Sequence, residues 1–170
     1  MKNTIAVLLS ALLILSVSTP LLAKERTVKI TISGAGLKTP IEISDPKILA
    51  NFSVWAGPGT SAADHRGFII DWSQGPVRET PSTLRKYQVA FYAGSPPNEQ
   101  IVYVVYYAFN RGSAPGYVYS PGESDELFKR NVRSIFRGVE GNWFRAWDVW
   151  EGVARPLIEK AHLSDSIQPR

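Results

Sequence analysis

Acid–base and nucleophilic chemistry have few carriers in this chain of 170 residues, which holds two histidines, 15 carboxylate residues and no cysteine. The run Ser61-Ala62-Ala63-Asp64-His65 brings together the three residue types of a hydrolytic triad. Triads are assembled across a fold rather than along one loop, however, and no nucleophile elbow accompanies this one. A solvated loop histidine is the simpler account of His65. Asp71 stands in the apolar stretch 68–72. A carboxylate cut off from water there would suit general acid–base work, whereas one facing solvent would do none. Glu140 lies upstream of Asp148 and Glu151, whose three-residue spacing puts both on one helix face. Glu151 also precedes Arg155 by four residues, the favourable order for a helix ion pair. A small hydrolase using Asp71 or Glu140 with His65 is therefore the catalytic alternative rather than the leading reading. No metal-ligand spacing is present and no cofactor is implied. Gly57-Pro58-Gly59-Thr60-Ser61 lacks the lysine and glycine spacing of a phosphate loop, and turn chemistry accounts for it.

Binding has more to work with. Lys129, Arg133 and Arg137 fall at four-residue steps with Arg130 beside them, and Arg145 extends the set. On a helix they form a basic stripe that suits an anionic surface such as a phosphate-bearing lipid or cell-wall polymer; a plain solvated face is the simpler alternative. The net charge of +4 permits such attraction without demanding it, and nothing requires nucleic acid. Trp143, Phe144, Trp147 and Trp150 cluster, and Tyr103, Tyr106, Tyr107, Tyr117 and Tyr119 crowd one stretch. Exposed rings of this kind make sugar-binding platforms, but cores are also built from them. Tyr103 and Tyr106 point to opposite faces of a strand, so the rings cannot all line one pocket. The candidate ligand surface combines Trp55, Trp72 and Tyr119 with the glycine-rich loop 57–67.

The elements that must position these groups are strands first and helices last. Thr27–Ser33 alternates apolar and polar residues, as a strand with one buried face does, and 40–43 gives a short partner across the Gly34-Ala35-Gly36 turn. Asp45 and Pro46 start a brief helix. A short strand over 68–72 comes next. Leu84–Tyr92 and Ile101–Phe109 follow, the latter apolar on both faces as a central strand is. Their connection is too short for a crossover, so they pair antiparallel, and 116–120 continues the meander. Ser124–Gly138 predicts an amphipathic helix with Phe128, Val132, Ile135 and Phe136 on its apolar side, and Trp147–Ala161 predicts a second, kinked or divided at Pro156. The expected fold is α+β: an antiparallel sheet of about five strands with carboxy-terminal amphipathic helices packed on one face.

Residues 1–23 read as a secretory signal, with Lys2 before an apolar run and Ala23 as the cleavage residue; an uncleaved membrane anchor is the alternative. Residues 24–163 then form a single globular domain and 164–170 a flexible tail. Absence of cysteine removes disulfides, thiolate metal sites, a thiol nucleophile and a lipid anchor on a lipobox cysteine, and export without disulfides fits a bacterial periplasm or exterior.

The chain resembles a family of uncharacterised exported bacterial proteins. The stretches that carry the resemblance are Val28-Lys29-Ile30-Thr31-Ile32, Pro40-Ile41-Glu42-Ile43 through Asp45-Pro46, Trp55-Ala56-Gly57-Pro58-Gly59, Gly116-Tyr117-Val118-Tyr119 and Phe136-Arg137-Gly138-Val139-Glu140-Gly141-Asn142-Trp143-Phe144. The resemblance implies export and one domain and transfers no site. A non-enzymatic binding or interaction module, with a cell-envelope component or another protein as partner, is the expected function.

Overall fold

A computed structural model describes residues 26–60, 67–79, 81–112 and 115–167. The signal segment and the Ser61–His65 run lie outside the described residues. Six strands form one antiparallel sheet: β1 (Lys29–Gly34), β2 (Ile41–Ile43), β3 (Lys86–Ala93), β4 (Gln100–Ala108), β5 (Tyr117–Ser120) and β6 (Asn142–Arg145), in the order β2-β1-β3-β4-β5-β6. With the helices, the architecture is α+β.

Period-two alternation decides which side chains meet. On the inner face Ile30 pairs with Phe91 and Ile32 with Val89, while Tyr103, Val105 and Tyr107 of β4 lie beside them, all without solvent exposure. A 20-residue helix, α2 (Asp148–Ile167), adds Trp150, Ala154 and Ile158 to the same core, at four-residue steps. Trp150 meets Phe52 and Tyr107 edge-on, at 5.3 and 5.9 Å between ring centroids. Phe52 follows α1 (Pro46–Leu49), whose N-cap Asp45 accepts from Lys47 N at 2.8 Å. On the outer face Ala90 and Val104 are covered by Leu127 from a 3-10 turn, Glu126–Arg130.

Several expectations are corrected. The sheet has six strands because 142–145, not read as a strand, pairs with β5 through Tyr119↔Trp143 and Val118↔Phe144. The stretch 68–72 makes only an isolated bridge, Ile70 with Ala146, before a 3-10 turn at Trp72–Gln74. The helix expected over 124–138 is replaced by two 3-10 turns, Glu126–Arg130 and Arg133–Ile135. Between them Asn131 and Val132 are extended, because they complete the edge of β4 beyond the reach of β5. Asn131 accepts from Val104 N at 2.7 Å and donates to Val104 O at 3.1 Å, and Val132 N donates to Val102 O at 3.0 Å. Helix α2 runs unbroken through Pro156; the carbonyl its ring deprives of a partner belongs to Gly152, and both residues are exposed. It continues past Ser164 to Ile167, and Asp165 is held by Lys38, whose N and Nζ donate to its side chain and carbonyl.

Candidate functional site

Of the carboxylates singled out from sequence, Asp71 and Glu140 are engaged in turns and Glu151 on helix α2. Asp71 Oδ1 accepts from Ser73 N at 3.0 Å and Ser73 Oγ at 2.6 Å, capping the 3-10 turn that follows. Glu140 Oε1 accepts from Arg137 N at 2.5 Å, closing the turn that leads into β6. Glu151 accepts from the Tyr107 hydroxyl at 2.6 Å and pairs with Arg155, as the four-residue spacing implies. Among the described residues no group of three or more histidines and carboxylates is arranged to hold a metal ion.

The aromatic surface expected from Trp55, Trp72 and Tyr119 is not assembled. Trp55 is half-buried against the core. Trp72 lies on the inner side, stacked on Phe68 at 6.1 Å and edge-on to Phe144 at 5.0 Å. Tyr119 projects from the outer side, because it pairs with Trp143 and Tyr106 rather than with the inward Phe144 and Tyr107. The sheet separates the two.

The basic residues divide as well. Lys129, Arg130 and Arg133 are exposed. Arg137 is only 5% exposed and cannot share a stripe with them, since the helix that would have aligned the four does not form. Its Nη1 donates to Ile135 O at 3.0 Å, and Nη2 to Val54 O at 2.6 Å and Ala56 O at 3.2 Å. The guanidinium carbon lies 4.7 Å from the Phe68 ring, 4.9 Å from Tyr103 and 5.3 Å from Trp72. Burial pushes its pKa down, opposed by Tyr103 and Glu140. Gly57 packs directly on Trp72 at this place: a Cβ there would sit 2.6 Å from the indole nitrogen, and φ is +120°. Arg137 therefore clamps the 54–56 segment to the turn, closed by Glu140, that leads into β6.

The outer face is different in kind. Register carries one row of side chains across five strands: Ser33, Gln88, Tyr106, Tyr119 and Trp143. Tyr106 and Tyr119 are near parallel at 6.4 Å, and Tyr119 and Trp143 lie 5.1 Å apart. Trp143, at 7% exposure, is the floor, and the Lys86 ammonium stands 5.6 Å from the centre of its ring. Tyr106 and Tyr119 are half-buried walls. With Asp125 and Gly141 these residues line a cleft of about 330 Å³. The Tyr119 hydroxyl donates to Asp125 Oδ2 at 2.8 Å, which Gly122 N also reaches. Burial, and then that hydrogen bond, raise the Tyr119 pKa. On its other side Tyr106 lines a second cleft, of about 460 Å³, with Gln88, Glu126, Leu127, Lys129 and Arg130.

A ring wall, an amine, a carboxylate and a cationic rim on one open face can stack against the apolar face of a ring-shaped ligand while hydrogen-bonding its hydroxyls. Of these residues the sequence reading selected Tyr119, Lys129 and Arg130, named Tyr106 and Trp143 only within the two aromatic clusters, and did not single out Lys86 or Asp125. The signal was available only through strand register. Comparison with models of known families, with curated proteins and with solved structures finds no match.

Proposed function

We propose that this chain is an exported bacterial binding module, rather than an enzyme, whose outer sheet face takes an anionic glycan of the cell envelope. The observation that supports it is the Tyr106–Tyr119–Trp143 row, which forms one wall system with Lys86 and Asp125 and continues through Tyr106 to Lys129 and Arg130. Aromatic walls contribute stacking area at low entropic cost, and the lysines and arginine add attraction for carboxylate or phosphate groups along a polymer. Residues 1–23 act as the signal that exports it, and the module from residue 24 onward works in the periplasm or outside the cell.

Sedimentation with purified peptidoglycan sacculi tests the reading. Wild-type protein is retained, and Tyr119→Ala together with Tyr106→Ala lowers retention by about tenfold or more, the equivalent of about 1.4 kcal/mol. Both tyrosines are half-buried at the surface, so the melting temperature checks that the variant is folded. Wild-type protein left in the supernatant, or a folded double variant retained as well as wild type, would remove the proposal.

A further inference from the structure

The end of the β3–β4 pair opposite the 94–99 connection holds a separate cleft of about 360 Å³. Because Lys86 pairs with Ala108, the chain segments just beyond them leave the sheet side by side, bringing Arg85 and Arg111 to the same end. Helix α2 closes another side with Glu159 and His162, three residues apart and so on one helix face. Tyr87 joins the two walls. It is 4% exposed, its ring is stacked on Phe109 at 5.7 Å, and its hydroxyl meets His162 Nε2 at 3.0 Å. Burial raises the Tyr87 pKa, Arg85 and Arg111 pull it back, and Glu159 adds to the rise, so all three charges act at that hydroxyl. Neither arginine has an ion pair or hydrogen bond among the described residues, although Glu159 lines the same cleft.

We propose that this cleft binds a phosphoryl group, gripped by Arg85 and Arg111 and bordered by Tyr87 and His162. A guanidinium is a planar fork that matches two phosphate oxygens at once and loses little hydration on pairing, so two unpaired ones at one mouth favour that chemistry. The Tyr87 hydroxyl and the His162 ring, already bonded to each other, are partners that can re-orient toward an added oxygen. Glu159 favours a ligand with a hydroxyl or protonated oxygen beside the phosphoryl group. The volume is at the small end of small-molecule sites, which fits a phosphomonoester better than a large cofactor. The site stands apart from the outer-face clefts and shares no lining residue with them.

Calorimetric titration with inorganic phosphate and with phenyl phosphate tests it on the whole domain. Saturable binding is expected in the millimolar range or tighter, weakened about tenfold or more in Arg85→Gln/Arg111→Gln. Both arginines are exposed, so this variant keeps its fold, and His162→Gln gives a second, smaller loss. Lys47→Gln, at an exposed position of α1, binds as wild type does. Sedimentation with vesicles of equimolar phosphatidylglycerol and phosphatidylcholine separates the two sources of the phosphoryl group. Arginine-dependent sedimentation without binding of either free phosphate assigns a lipid headgroup; binding of free phosphates without sedimentation assigns a soluble ester. Absence of binding in both arms, or binding that survives loss of both arginines, overturns the proposal.

Discussion

Cations meet aromatic rings on both sides of this sheet, to opposite ends. Arg137 on the inner side sits among Phe68, Trp72 and Tyr103 with three of its N–H groups on backbone carbonyls, and it is almost wholly removed from water. Lys86 on the outer side stands over Trp143 at the mouth of an open cleft, and it is exposed. A guanidinium has the planar set of donors needed to satisfy several carbonyls at once, so it can be buried without a carboxylate. An ammonium remains strongly hydrated and keeps its partner choice open. The same residue chemistry thus makes a structural clamp where most of the donors are taken up by carbonyls, and leaves an open cation at a cleft where they face solvent.

The sharpest break in that comparison is Arg137→Met. It leaves the Val54, Ala56 and Ile135 carbonyls without their donor, at about 1–3 kcal/mol for each buried group left unpaired, so a loss of roughly 3 kcal/mol or more is expected in denaturant melts. Arg137→Lys should lose nearly as much, because a single ammonium on a flexible stem does not reproduce the fork. A melt of Arg137→Lys that matches wild type would show that charge alone holds the clamp.

A smaller effect is expected at alkaline pH. Burial raises the pKa of Tyr87, Tyr103 and Tyr107 above the ordinary phenol value, and at Tyr107 the hydrogen bond to Glu151 adds to it. Below about pH 10 these phenols are protonated in both the folded and unfolded chain, and their contribution to stability is fully present. Above it the unfolded chain releases protons that the folded one keeps, so stability falls as pH rises. Melting temperatures followed from about pH 8, below the ordinary phenol value, to about pH 11, above it, should decline at the alkaline end. Tyr107→Phe should flatten that decline, and an unchanged slope in this variant would count against the assignment.

The smallest effect belongs to the outer face. Lys86→Gln removes an exposed cation from a ring, worth about 0.5–1 kcal/mol at most, and melting should barely move. Sacculus binding should weaken in the same variant. A large loss of stability would mean that Lys86 is a second clamp and that the two sides are alike.

How much of this was legible beforehand follows from the range of each interaction. Strands β1, β3, β4 and β5 and helix α2 were readable because their burial repeats every two or every three to four residues, a signal carried by neighbouring positions. The segment 124–138 misled for the same reason: its apolar residues fall at helical spacing, yet Leu127 turns to the outer face, Asn131 to the edge of β4 and Ile135 to the inner core. Tertiary hydrogen bonds at Asn131 and Val132 outweighed a weak local preference. β6 was missed because four residues are too few for alternation to declare itself, and its pairing with β5 is decided by a partner elsewhere in the chain.

Amino-acid order alone determined the α+β composition, the antiparallel meander and the opposite facing of Tyr103 and Tyr106, since each rests on backbone geometry between near neighbours. Only the folded chain decided that Arg137 is a buried clamp, that Trp72 and Tyr119 lie on opposite sides of the sheet, and that Tyr106, Tyr119 and Trp143 form one row. Those facts depend on contacts between distant segments and on strand register, and a shift of one residue would have turned Tyr106, Tyr119 and Trp143 to the other face.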